Sequence, residues 1–255
     1  MIDTHAHLTD ERYENLNEIV NNYLQSGIKT VISAGYDLKS SEGSERLSKI
    51  YPSVYFTAGV NPSGCNEINA ESLKFLENLA KSDKCAGIGE IGLDYHYEDY
   101  DKDSQKKAFI KQIELADKLK LPVIIHSRDC EQDMQDLLAV NKSLLKKGGV
   151  MHCYSGSKES LKFYLDLGFY ISFAGPVTFK NNVKSAEIIK YAPMDRILCE
   201  TDSPYLTPEP FRGRLNEPAN VIYVIKFIAA VKGLDENETA KMIFNNALCA
   251  LRFEY

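Results

Sequence analysis

The sequence has no run approaching the roughly 18 consecutive apolar residues that cross a bilayer. Its opening, MIDTHAHL, has no basic region, apolar stretch or small-residue cleavage site. Both absences point to a soluble, unexported, cytoplasmic chain with no membrane partner. The six cysteines, Cys65, Cys85, Cys130, Cys153, Cys199 and Cys249, form no CxxC pair. That disfavours a disulfide framework or a zinc knuckle, and the thiols read as small buried hydrophobes in a reducing compartment. Broad positive charge is missing too. The formal net charge of −6 argues against a protein that coats long nucleic acid. It leaves room for an enzyme that grips a few nucleotides, because bound divalent ions are the largest local positive charges in such a site. There is no low-complexity segment, long charge run or internal repeat beyond a β-then-α unit.

That alternation fills the chain. Short β-rich segments, Met1–Thr4, Thr30–Ser33, Val54–Ala58, Ala86–Gly89, Val123–Ile125, Val150–Met151, Tyr170–Ser172 and Ile197–Cys199, are separated by amphipathic stretches. In these, residues such as Tyr13, Leu16, Val20 and Tyr23, or Phe109, Ile113, Ala116 and Leu119, recur at helical spacing. Leu121-Pro122, Gly148-Gly149 and Gly168 each stop a helix just before a strand. Eight strands interleaved with helices predict a parallel sheet, and eight is the number that closes. The expectation is an α/β fold, a (β/α)8 TIM barrel, with residues 1–255 as a single domain. Two more helical stretches, near Ala219–Val231 and Glu236–Arg252, follow the last strand, and the second is expected to close the outer ring.

The ionisable residues fall at strand ends. His5 and His7 stand two apart at the end of the first strand, on one side of it, so two imidazoles can meet one metal. Glu90 ends the fourth strand, His126 the fifth and His152 the sixth, while Asp202 follows the eighth in Glu200-Thr201-Asp202. Active sites of such barrels gather at the C-terminal strand ends. Four imidazoles and two carboxylates suit borderline divalent ions better than calcium, and six ligands are too many for one open catalytic ion. The simplest division gives His5, His7 and Asp202 to one ion and His126 and His152 to a second, with Glu90 bridging both. Two divalent metal ions, whether zinc, manganese, magnesium or cobalt, are therefore the expected cofactors. They would activate a shared water and stabilise a leaving oxygen.

The strings DTHAHL (3–8), GIGEIGLDY (87–95), PVIIHSRD (122–129), MHCYSG (151–156) and ETDSPYLTPEPFRGRLNEP (200–218), in this order, resemble the TatD family of metal-dependent deoxyribonucleases of the amidohydrolase-like superfamily. By that resemblance the six residues above occupy the family's metal positions. The implied activity is hydrolysis of DNA phosphodiesters, often from a 3′ end. One block departs: where the family often has Gly-(Ile/Val)-His-Pro-His, this chain has Gly59-Val60-Asn61-Pro62-Ser63. Two imidazoles are missing there, outside the six metal positions.

Around this set the sequence leaves several readings open. Arg128 offers either a bidentate phosphate contact or a structural pair with Asp129 or a helix end. Arg212, and with it Arg214 across Gly213, stands in a proline-rich loop where it would contact phosphate or simply face solvent. Asp3 and Glu200 share parity with His5 and Asp202, and are read as carboxylates orienting the ligands or as members of buried ion pairs. Asp94 is given no catalytic role. His96 is read as a surface or substrate-side residue, and Tyr95, Tyr97 and Tyr100 as base-stacking candidates or ordinary loop tyrosines. Cys153 is expected to face the helix layer. The leading function is a divalent-metal-dependent deoxyribonuclease, acting as a 3′-5′ exonuclease with DNA as its substrate partner, with Glu90 and Asp202 as the catalytic carboxylates and Arg128 and Arg212 on phosphates. The alternatives are hydrolysis of small phosphoesters or of C–N or ester bonds on the same barrel, and a non-enzymatic binding module. Many related amidases bridge their metals with a carboxylated lysine, where this chain has Glu90. The sequence sets no oligomeric state, a monomer being the simplest arrangement.

Overall fold

The computed structural model describes residues 1–96 and 101–253. Among them, eight parallel strands lie in the order of the chain: β1 (Ile2–Ala6), β2 (Thr30–Ala34), β3 (Val54–Ala58), β4 (Cys85–Asp94), β5 (Val123–Arg128), β6 (Gly149–Met151), β7 (Tyr170–Phe173) and β8 (Ile197–Cys199). Helices α1 (Leu16–Gln25), α2 (Leu38–Ile50), α3 (Ala70–Leu79), α4 (Lys102–Leu119), α5 (Glu131–Val140), α6 (Lys158–Asp166) and α7 (Val183–Tyr191) connect them, and α8 (Val221–Lys232) and α9 (Glu236–Ala250) follow β8. This is the expected (β/α)8 barrel. Its seam is closed between β1 and the segment after β8 by an Ala6–Ser203 bridge, with Asp202 N donating to His5 O at 2.9 Å and His7 N to Ser203 O at 2.7 Å.

Local chemistry sets the element boundaries. Asp37, Asn69 and Ser157 cap α2, α3 and α6, and in each case the serine three residues on returns the bond to the cap. At the other end of α4, Lys120 takes a left-handed conformation and Pro122 follows two residues later, which stops the helix and delivers the chain to β5. The strands are buried along nearly their whole length, as both faces of a barrel wall require.

The last helix departs from the expected place in the outer ring. Its residues Ala247 and Ala250, with Leu251, pack in one cluster with Ile2, Ile32, Ala86, Ile124, Val150 and Leu198 of six strands. Asn246 Nδ2 donates to Ile197 O at 2.8 Å, and Arg252 N to Ala86 O at 2.9 Å. This places α9 at the N-terminal strand ends, where it closes the barrel's apolar floor. Small residues at 247 and 250 let the helix approach that floor closely. The polar side chains are thereby left to the opposite end. No helix among the described residues is long and apolar enough to cross a membrane.

Candidate active site

Two of the three irregularities of register in the barrel lie under the site. Between Asp3 and Ala6, β1 spends three steps where β2 spends two, and between Ile88 and Ile91, β4 does the same against β5. One extra residue in a strand bends it and re-aims a side chain. The extra lengths fall at Thr4–His5 and at Gly89–Glu90, so both bulges serve the residues gathered over the floor. Strand β4 then runs on past Glu90 to Asp94, further than its sequence suggests. It passes so close to β5 at Gly92 (φ +150°) that a Cβ there would sit 1.9 Å from His126 O. Only glycine fits.

The structure brings the four expected imidazoles around the two expected carboxylates, Glu90 and Asp202. His5 Nε2 lies 3.6 Å from Glu90 Oε2 and 3.7 Å from Asp202 Oδ1, and His7 Nε2 lies 3.2 Å from Asp202 Oδ1. The His152 ring stacks on His5 with centroids 3.7 Å apart. His5, Glu90 and His152 each offer one donor atom within 4.8 Å of the others, and so do His5, His7 and Asp202. His5 belongs to both groups, so His152 clusters with His5 and Glu90 more closely than with His126, whose ring centroid is 6.1 Å away. His126 stands on the other side of Glu90, with Nδ1 2.8 Å from Oε1.

The residues fit a cation. His5 Nε2 is buried and has no hydrogen-bond partner, though two carboxylates lie just beyond bonding distance. Burial, and then neighbouring His152, lower the pKa of His5, which favours the neutral, metal-binding form. Burial alone would raise Glu90, yet its contacts with His126 and His5 outweigh that and hold its carboxyl well below the usual range. The outer atoms are fixed as a ligand set requires. His7 Nδ1 is 3.3 Å from Ala34 O, and His152 Nδ1 is 2.7 Å from Glu200 Oε1, so both rings turn Nε2 toward the centre.

Glu200 and Asp3 hold backbone as well as side chains. Glu200 accepts from Cys153 N at 2.7 Å. Asp3 accepts from His5 N at 3.2 Å, from Thr201 N at 2.9 Å and from Thr201 Oγ1 at 2.5 Å, tying β1 to the segment that carries Asp202. Burial pushes the Asp3 carboxyl up to about 8 in spite of these bonds. The folded chain therefore keeps a proton that the unfolded chain releases above about 3.9, and stability should fall as pH rises from there to about 8. Asp3→Asn should remove that slope, gaining on the native chain between about pH 5 and 8 in urea unfolding. Asp3→Ala, which orphans the Thr201 donors, should cost about 1–3 kcal/mol. Equal slopes in native and Asn chains would refute the account.

Asp94 is the residue that sequence reasoning missed. Its Oδ2 is 3.0 Å from His126 Nε2 and 2.8 Å from Arg128 Nη2, and its Oδ1 accepts from Arg128 Nε at 3.0 Å. The signal was its four-residue spacing from Glu90, which counts only if the strand continues through the glycines. Arg128 thus pairs with Asp94, while Asp129 lies 3.0 Å from His96 Nδ1 at the exposed rim. Cys153 also departs from expectation. A φ of +45° breaks the strand alternation and the residue lines the cavity instead of facing the helix layer. Arg212 and Arg214 are exposed, with guanidinium groups over Phe179 (4.1 Å) and Phe211 (5.5 Å), and neither lines the cavity. The Tyr95 hydroxyl donates to Asp133 at 2.7 Å, whereas Tyr97 and Tyr100 lie outside the described residues.

The cavity above the ligand set has a volume of about 650 Å³. Asn61 and Ser63, the positions where imidazoles are missing, line it, and Asn61 Oδ1 accepts from Ser63 Oγ at 2.7 Å. Glu90, Asp94 and Asp202 share its wall with His7, His126, His152 and Arg128.

Comparison with known proteins agrees with this geometry. The family model described as "TatD related DNase" matches residues 2–252. A Bacillus subtilis (strain 168) protein named "Uncharacterized metal-dependent hydrolase YabD" is 39% identical over 248 residues, 97% of each chain. An Escherichia fergusonii protein named "3'-5' ssDNA/RNA exonuclease TatD" is 30% identical over 244 residues, 92% of each. Among solved structures, YJJV, a TatD homolog from Escherichia coli K12, superposes with a TM-score of 0.93 at 26% identity, covering 100% of this chain and 98% of that one. A buried set of imidazoles and carboxylates at the C-terminal mouth of the barrel, with matches of this extent, shows that the chain belongs to the TatD-related DNase family and is a metal-dependent hydrolase.

Proposed function

We propose that the chain hydrolyses phosphodiester bonds of DNA from the 3′ end, with two divalent cations held by His5, His7, Glu90, His126, His152 and Asp202. The observation that carries the binuclear reading is the position of Glu90. Its Oε2 faces His5 (3.6 Å) and His7 (3.9 Å), while its Oε1 faces His126 (2.8 Å). A carboxylate whose two oxygens look toward two different imidazole groups is placed to bridge. The choice of DNA is supported by the relative named as a 3′-5′ exonuclease of single-stranded DNA and RNA.

When bound, the cations would polarise the phosphoryl oxygen and acidify a water as nucleophile. The chain's own residues do the rest. Asp202, partly exposed to the cavity beside His7, accepts the proton that leaves the attacking water. Asp94 holds His126 by Nε2, and Glu200 holds His152 by Nδ1, so neither ring needs to reorganise as the reaction proceeds. Arg128, on the cavity wall, holds a neighbouring phosphate. Arg212, outside the cavity, meets only strand that extends beyond it. The test is a cation-supplemented assay of the purified chain on end-labelled single-stranded, duplex and abasic DNA, with small esters and amides alongside. Cation-dependent release of nucleotides from 3′ ends is expected. Turnover of small esters or amides with DNA untouched would overturn the reading.

A further inference from the structure

Two tyrosines at the cavity mouth have no part in the chemistry above. Tyr36, after β2, and Tyr205, after β8, both line the cavity. Both pack against the His7 ring, with centroids 5.2 and 5.9 Å away and ring planes nearly perpendicular to it, at 82° and 79°. Tyr205 is 47% exposed, yet it is locked in place. Its hydroxyl donates to Asp10 Oδ2 at 3.2 Å, and the Arg12 guanidinium lies 4.1 Å over its ring. Arg12 in turn grips Asp10 by two bonds of 2.8 Å. Fixing an exposed aromatic in this way costs side-chain entropy before any ligand arrives, so less is lost when one binds.

Beyond Tyr36 the surface opens into a second depression of about 640 Å³, lined in part by Leu8, Leu47, Lys39 and Arg46. Tyr36 belongs to the walls of both spaces. The basic groups there are already matched: Arg12 by Asp10, Lys39 by Glu11 at 3.7 Å and Arg46 by Glu42 at 3.3 Å. Charge gives little net pull on a phosphate backbone at this edge. What the edge offers is a rigid aromatic ring beside the reacting centre and the apolar side chains of Leu8, Leu47 and Ile50 behind it, the chemistry that holds a nucleobase.

We propose that Tyr205 and Tyr36 form a nucleobase-stacking subsite. Tyr205 takes the base next to the scissile phosphate, and the depression behind Tyr36 takes the following one. This rests on the phosphodiesterase reading above and sharpens it. The substrate is an unpaired strand of at least two nucleotides, because duplex bases are already stacked on one another, and the grip comes from ring faces more than from salt-sensitive charge.

The experiment compares cation-loaded native, Tyr205→Ala, Tyr36→Ala and Tyr205→Phe chains on short end-labelled single strands. The 3′ residues carry either bases or base-free tetrahydrofuran. The native chain should prefer the strand with bases by about tenfold in kcat/KM, most of it in KM. Each alanine variant should erase most of that preference, and Tyr205→Phe, which keeps the ring, should retain it. A native chain indifferent to the bases, or alanine variants that keep the preference, would overturn the subsite and leave phosphodiester hydrolysis standing. A native chain that cuts neither strand, yet turns over small esters or amides, would overturn the phosphodiesterase reading and the subsite with it.

Discussion

Glu90→Gln is expected to lower turnover by on the order of 10³-fold and to reduce the bound cation, while the barrel still folds. The amide keeps the shape of the side chain but not the charge that faces His5 and His7 on one oxygen and His126 on the other. A neutral group cannot balance two cations. Folding should survive because the opposing imidazoles can shed their protons, which limits the cost of leaving buried charge unpaired, otherwise about 3–5 kcal/mol. Cation content by elemental analysis, kcat on DNA and circular dichroism on the same preparation check this together. Full activity with unchanged cation content would sink the bridging role.

Chelation is expected to abolish activity, and the recovery on adding back a divalent ion should depend steeply on pH. In the cation-free chain, burial works against a proton on His126, yet its contacts with Asp94 and Glu90 raise it to about 9. Burial likewise opposes a proton on His152, and Glu200 then Asp202 raise it to about 10. Both values lie above the unfolded one near 6.5. The stability these pairs contribute is therefore fully present below about pH 6.5 and is lost as pH rises through about 9–10. A cation needs the neutral imidazole, so binding expels up to two protons. Apparent affinity should climb about tenfold per proton for each pH unit. Melting temperatures of stripped and loaded chains should diverge as pH rises from about 7 to 9, the stripped chain falling. Parallel curves would mean that these imidazoles do not meet the cation.

Much of the barrel can be read in the residues because each strand carries its own punctuation. Leu121-Pro122 and Gly168 mark turns that the folded chain uses, and His5 and His7 converge on Asp202 as a strand end allows. What the residues hide depends on backbone geometry. Gly87-Ile88-Gly89-Glu90-Ile91-Gly92 reads as a strand ending at Gly89, since glycines weaken strands. Here they mark a bulge and a close backbone passage, so β4 reaches Asp94 and His126 is held at both nitrogens. Cys153 follows the same logic: alternation predicts its direction until a positive φ interrupts it. Helix α9 reads as another outer helix because an apolar face does not say which apolar surface it meets. The pairing of Tyr36 with Tyr205 is hidden for a plainer reason. It joins loops 169 residues apart in sequence, brought together only because the barrel closes on itself.

That closure has a consequence for the order in which the enzyme comes into being. His5 and His7 are synthesised well before Asp202. The seam between them is made by Asp202 N on His5 O, His7 N on Ser203 O and Asp3 on Thr201. Until residues 200–203 have been synthesised and have docked, the imidazoles of β1 lack both the carboxylate and the backbone that fix them. A partly made chain therefore holds most of the candidate ligands but no assembled centre. Hydrolysis can begin only when the two ends of the barrel have met, so the step that closes the seam is also the step that assembles the site.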